Sequence, residues 1–342
     1  MKLCIAILFP LMVCTLPLSA MADQPLVVAG LGGAAADVVK SRLIPEFEKK
    51  FRVKVVYYPE NSADTLQRLR SDKENGKNTD VAFMDDSLMD QAVDGNLCGK
   101  IESNDSKDFE KTAHFQGDKA MGIGIVALGL MYNKKIFAEN NWPAPTSWRD
   151  LADPKFSGKV TIASPKNGYG MTTLLALAYV NGGVNEKGID AAFGVIKNSI
   201  VPLTPALANT PAKLLELFQT GQVALVPWGS VRAQQLFIET GFPVGIAYPK
   251  EGVPTVLVAV CPVQASQNHV LAQAFIKMVL SEEAQKLFTD EAGLFPLRKN
   301  TPVKNTGFLP IGVNPIVIDQ KFVIRNREVW NERWLKDVGK LD

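Results

Sequence analysis

The sequence predicts an α/β protein of two domains, and three observations carry that prediction. Short apolar runs alternate with helical patterns along most of the chain, the arrangement of strands covered by helices. At 342 residues the chain is too long for one compact core. Two extended apolar segments, 122–131 and 255–262, are suited to running from one domain into the other. No internal repeat or low-complexity segment interrupts the pattern.

The first 22 residues read as a secretory signal peptide. Met1 and Lys2 supply a positive end, residues 3–18 are almost wholly apolar, and Ala20-Met21-Ala22 offers small residues for cleavage before Asp23. About 16 apolar residues broken by Pro10 and Pro17 fall short of the roughly 20 that a spanning helix needs. Cys14 follows Val13, not the small residue of a lipoprotein site. The expected mature chain is exported and keeps 320 residues, and loss of Lys2 lowers the formal charge from +2 to +1. That balance, without a basic run, argues against nucleic acid as a partner.

In the first domain, 26–30 reads as a strand ending in the loop Leu31-Gly32-Gly33, and 34–51 carries apolar positions at helical spacing. A second strand follows at 54–58, a helix capped by Ser62 runs to Leu69, and a third strand at 80–84 enters Asp85-Asp86-Ser87. This alternation predicts a mostly parallel sheet covered on both faces. Ligands of such sheets bind beyond the carboxyl ends of the strands, where Gly32, Gly33, Asp85 and Asp86 fall.

Beyond the first crossing, a short helix is expected from Asn133, Pro143 and Pro145 halt the chain, and Thr146-Ser147 place a hydroxyl cap before a one-turn helix. Strands at 160–162 and 223–227 and helices at 172–180 and 211–219 form a second α/β unit. After the second crossing, 271–280 and 282–290 read as amphipathic helices, and 322–338 as a charged helix holding Trp330 and Trp334.

Several residues are candidates for binding. Asp85 and Asp86 suit an ammonium group, or else cap the next helix. Trp228 suits an aromatic wall for a cation or an apolar stem, or else packs its lobe. The 164–172 loop, with Ser164, Asn167, Tyr169 and Thr172, leads into a helix N-terminus and suits a carboxylate or phosphate, although it lacks the Gly-Lys-Ser/Thr ending of a phosphate loop. Ser230 and Arg232 open another helix and suit a second anion clamp, or a surface ion pair. His114 and His269 have no partner cluster, no Cys-x-x-Cys or Gly-x-Ser-x-Gly occurs, and neither a metal, a cofactor nor an enzyme activity is expected. Cys98 and Cys261, the cysteines left after cleavage, either bridge or stand as two buried thiols.

Within 128–160 the order apolar strand, Tyr132-Asn133-Lys134, Pro145-Thr146-Ser147-Trp148, Asp153-Pro154-Lys155-Phe156, Gly158-Lys159-Val160 resembles the start of the second lobe in periplasmic solute-binding proteins of the polyamine, iron and thiamine type. Leu217-Phe218, Trp228-Gly229-Ser230, Gly241-Phe242-Pro243-Val244 and Tyr248-Pro249-Lys250-Glu251-Gly252 extend the resemblance over nearly the whole mature chain. It implies a two-lobed, type II-like fold, with a first lobe from 23–125 and 258–342, a second lobe inserted at 126–257, and the two crossings as hinges. It further implies a monomeric periplasmic receptor that takes a small-molecule solute and delivers it to the permease of an ABC importer.

Trp228 matches a tryptophan of the polyamine-type proteins. Where those carry a Trp and an Asp before the second crossing, this chain has Pro254-Thr255-Val256-Leu257, which leaves an amine to Asp85, Asp86 and Glu251. An acidic lobe facing an anion-friendly loop suits a zwitterion, with a polyamine or thiamine as alternatives. Iron-binding members use adjacent tyrosines in the second lobe, whereas the adjacent pair here is Tyr57-Tyr58 in the first, which disfavours ferric iron. An exported cleft enzyme using the aspartates for acid–base chemistry is the rival from another class.

Overall fold

The computed structural model describes residues 24–339 except 77–78, 209, 305 and 317. The signal-peptide reading of residues 1–22 lies outside the described residues. Eight strands among the described residues are β1 (Leu26–Ala29), β2 (Val55–Tyr58), β3 (Val81–Asp85), β4 (Met121–Asn133), β5 (Leu225–Gly229), β6 (Val244–Ala247), β7 (Val253–Pro262) and β8 (Pro315–Ile316). They join in the order β2-β1-β3-β7-β4-β5, with β6 on β4 and β8 on β7.

The expected parallel sheet holds for β2, β1 and β3 and then gives way. β7 runs antiparallel to β3 and to β4, and β5 and β6 run antiparallel to β4. The reason is the path of the chain, because β4 carries it outward and β7 brings it back. Met121 to Ala127 of β4 pair with β7, while its later residues lie between β5 and β6. One 13-residue strand thereby belongs to both halves of the molecule.

Two principal cores flank this shared strand. Val28, Phe83, Ile123, Val260, Phe275 and Phe288 belong to the first. Leu130, Trp148, Phe156, Leu174, Phe193 and Leu225 belong to the second. The C-terminal helix Gln320–Asp337 was grouped with the first lobe on sequence, yet Val323, Trp330 and Trp334 pack into the second core. Pairing of β8 with the start of β7 brings the chain back to that side.

Local chemistry accounts for other differences. Residues 33–51 form one helical run, made of Gly33–Val38, a wider turn Val39–Leu43 and Ile44–Phe51. The helix Ser62–Asn75 is capped by Asn61, which accepts from the Asp64 amide, so Ser62 is not the cap. Its hydroxyl accepts instead from the Asp85 amide at 2.9 Å. The expected hydroxyl cap of the turn Trp148–Ala152 is Ser147, with Asp150 closing a capping box. The expected strand at 160–162 reduces to a bridge between Val160 and Leu225. Cys98 and Cys261 form a disulfide with 5.7 Å between Cα atoms, which ties the first lobe's early segment to the returning strand β7.

Candidate functional site

Two loop-to-helix joins in the second half build the site. β5 ends in Trp228 and Gly229, and the chain turns at once into the helix Ser230–Thr240. Residues 164–167 lead into the helix Gly168–Val180, where Asn167 caps by accepting from the Gly170 amide at 2.9 Å. A Cβ on Gly170 would stand 2.0 Å from the Ser164 carbonyl oxygen, so only glycine permits this close approach. A Cβ on Gly229 would meet the Tyr169 ring at 3.2 Å. These tight contacts bring Tyr169 and Trp228 together as a stacked pair, with centroids 4.5 Å apart and planes inclined by 17°.

A cavity of about 600 Å³ opens beside this pair. Tyr169, Trp228, Arg232 and Gln235 line it from one side, and Gly33 and Asp37 from the helix Gly33–Val38 on the other. It lies between elements of the two halves. Trp228 is 3 % exposed and its Nε1–H has no hydrogen-bond partner. Trp334 has a similarly unpartnered N–H, but it lies in the second core and lines neither cavity described here. Burial pushes the Tyr169 hydroxyl up, and the Arg232 guanidinium beside it pulls it down. Among the described residues no carboxylate comes within ion-pair distance of Arg232. The cavity therefore holds a delocalised cation beside an aromatic wall, a combination suited to a carboxylate or phosphate, and the Trp228 N–H lies buried behind that wall.

A second cavity of about 240 Å³ adjoins the crossing strands, lined by Val126, Leu128, Tyr169, Thr172, Pro254 and Val256 among others. Tyr169 is a wall of both cavities. The Thr172 hydroxyl donates to the Gly168 carbonyl at 2.6 Å.

The other sequence candidates divide. Gly33 lines the larger cavity, whereas Gly32 is exposed beside it and lines neither. Ser164 is buried, and its hydroxyl accepts from the Lys166 amide. Asn167 Nδ2 is buried without a partner. Ser230 does not serve as a cleft donor: it is fully buried, and its Oγ accepts from the Ala127 amide at 3.2 Å. Glu251 lies away from both cavities, accepting from the Ser147 hydroxyl at the base of the Trp148 turn. Tyr57 is engaged locally, its hydroxyl donating to the Gly30 and Leu31 carbonyls.

Asp85 and Asp86 line neither cavity. They sit beside β7, where Asp85 registers with Val258 and Asp86 accepts from the Leu257 amide. Burial raises the Asp85 carboxyl above its ordinary range, opposed by a hydrogen bond from Ser62. Burial also raises Asp86, opposed by hydrogen bonds from the Ser87 and Leu257 backbone. Asp85 occupies the cap position of the helix Asp86–Asp94 but makes no side-chain capping bond.

Sequence reasoning missed Asp37, Gln235 and Glu239 of the larger cavity. Helical spacing was the available signal, since Asp37 lies four residues beyond Gly33, and Gln235, Leu236 and Glu239 follow Arg232 at three, four and seven. The other side of the Ser230–Thr240 helix is fastened elsewhere. Val231 packs on the first core, and Gln234 Nε2 donates to the Thr289 and Asp290 carbonyls at 3.2 Å each, in the last turn of the helix Glu282–Ala292.

Comparison with known proteins follows the same lines. A family model described as bacterial extracellular solute-binding protein matches residues 42–306. An uncharacterised protein of Haemophilus influenzae is 24 % identical over 317 residues, covering 89 % of both chains. The spermidine/putrescine-binding periplasmic protein of Escherichia coli is 21 % identical over 315 residues, covering 89 % of this chain and 85 % of the relative. The crystal structure of an ABC transporter protein from Clostridium perfringens superposes with a TM-score of 0.69 at 22 % identity, covering 91 % of this chain and 99 % of that one.

Proposed function

The chain belongs to the bacterial extracellular solute-binding proteins, and from that premise we propose that it captures a small zwitterion between its lobes and delivers it to the permease of an ABC importer. It acts in the periplasm as a receptor, not as an enzyme. The observation that carries this reading is the Arg232 guanidinium, which has no carboxylate within ion-pair distance among the described residues, in a cavity walled by Tyr169 and Trp228. An anionic group on the solute satisfies Arg232, while Asp37 on the facing helix, which pairs with Lys40 at 3.0 Å in the ligand-free protein, supplies the counter-charge for an ammonium by exchanging that partner. Contacts from both sides are what closure requires, because a ligand held by one lobe alone gives the closed form no preference. We place the first lobe at 24–125 and 258–300, and the second at 126–257 with the C-terminal helix, on the packing of the two cores.

Titration calorimetry tests the reading with paired probes. Amino acids are compared with their decarboxylated amines, on the wild type and on Arg232→Ala. The zwitterion should lose at least about tenfold in affinity on Arg232→Ala, roughly 1.4 kcal/mol. The amine should bind weakly and be indifferent to the change. Spermidine defines the second reading, favoured by the half-buried carboxylates of Asp85 and Asp86. Tight spermidine binding that ignores Arg232→Ala and falls on Asp85→Asn or Asp86→Asn replaces the zwitterion with a polyamine.

A further inference from the structure

We propose that the solute carries a compact apolar body, an aromatic ring or a branched aliphatic chain, which seats in the smaller cavity behind Tyr169. The inference rests on the zwitterion reading above and narrows it to amino acids, or their phosphonate counterparts, with an apolar side chain.

Continuity is the first argument. Tyr169 stacks on Trp228 in the larger cavity and also walls the smaller one, so a head group held by Trp228 and Arg232 has its remainder directed past the Tyr169 ring. The lining is the second. Val126, Leu128, Pro254 and Val256, on β4 and β7, line this recess with apolar residues. Two of its polar groups already have partners within the protein. The Thr172 hydroxyl donates to the Gly168 carbonyl, and the Ala127 amide donates to Ser230 Oγ. A hydrophilic extension of the solute would lose its water against the mostly apolar walls.

Size and exposure complete the case. An apolar cavity of about 150 Å³ is enough to take benzene, so about 240 Å³ holds a ring with a methylene linker. Val256 is 40 % exposed, a large aliphatic side chain left facing water on a crossing strand. Covering it with the solute removes apolar surface from water at the junction of the two halves, where closure would occur.

Calorimetric titration of the purified protein with phenylalanine, leucine and alanine tests the proposal, since the three share one head group. Phenylalanine or leucine should bind roughly 10- to 100-fold more tightly than alanine. Val256→Trp fills the recess from a position exposed enough for the variant to fold, as its unfolding transition would verify. It should bring phenylalanine and leucine to alanine's affinity and leave alanine within about twofold. Equal affinity for all three, lost on Arg232→Ala, overturns the apolar seat while the zwitterion reading stands. A preference that survives Val256→Trp likewise overturns the seat and leaves the zwitterion in place. Binding of spermidine in place of all three, or of none of the probes at millimolar concentration, overturns both.

Discussion

Replacing Trp228 with phenylalanine separates the indole N–H from the ring that carries it. In the ligand-free protein Nε1 is buried and unpartnered, and an orphaned donor costs about 1–3 kcal/mol. Trp228→Phe removes that penalty. It also leaves a small void beside Tyr169, at about 24 cal/mol per Å³ of residual volume, or roughly 1 kcal/mol. The two effects oppose each other, so the unfolding free energy should stay within about 2 kcal/mol of wild type. Where the solute reaches this N–H in the closed form, binding has no such compensation. A hydrogen bond to a charged acceptor contributes about 1.5–3 kcal/mol, so affinity for the zwitterion should fall roughly 10- to 150-fold. Urea unfolding measures the first quantity and titration calorimetry the second. Tyr169→Phe is the control, since it keeps the stack and removes the hydroxyl beside Arg232. Undiminished affinity in Trp228→Phe would show that the N–H does not meet the solute. A loss of folding stability well above 3 kcal/mol would show that the donor is paired in the unliganded protein.

The aspartates beside β7 give a pH signature. Burial raises both carboxyls above the ordinary 3.8, so the folded state favours their protonated form. That contribution to stability is complete below the ordinary value and is lost as pH rises through the raised one. Asp85→Asn and Asp86→Asn should therefore melt higher than wild type at pH 7, with the advantage disappearing toward pH 3; equal melting at both values would contradict the burial argument. The Cys98–Cys261 bridge closes a sequence separation of 163 residues, for which the chain-entropy model gives about 5 kcal/mol as an upper value. Reduction should lower the melting temperature by several degrees, as should Cys98→Ser, and an unchanged transition in both would mean that the unfolded chain is already constrained there.

Much of the framework was legible because it is local. The apolar runs at β1, β2 and β3, the glycines of the first crossing and the proline-bounded turn near Trp148 each state their structure within a few residues. Strand direction was not legible: alternation with helices predicts parallel pairing, but an out-and-back path through β4 and β7 forces antiparallel pairs. The helix Glu186–Val195 was missed, although Asn185 announces it by capping the Gly188 amide. At the site, sequence brings the 164–172 loop to the same side of the cleft as Trp228, but the contact itself, Tyr169 stacked on Trp228, comes only from the fold. Ser230 illustrates the opposite error. A serine opening a helix looks like a donor for ligand, and whether it faces the cleft or the neighbouring strand depends on packing that sequence spacing does not carry.

The Ser230–Thr240 helix holds two sets of residues on different faces, Arg232, Gln235 and Glu239 toward the cleft, and Val231 and Gln234 against the end of the Glu282–Ala292 helix. Grip and anchorage thus sit on one short rod without sharing a residue. Substitutions can retune what the cleft selects while the mounting stays as it is, so solute preference is free to drift along this rod from one descendant to the next. The reverse also holds. A change at Gln234 would loosen the mounting beneath every solute alike, and selection would meet it as a fault common to all cargoes, not as a shift from one to another.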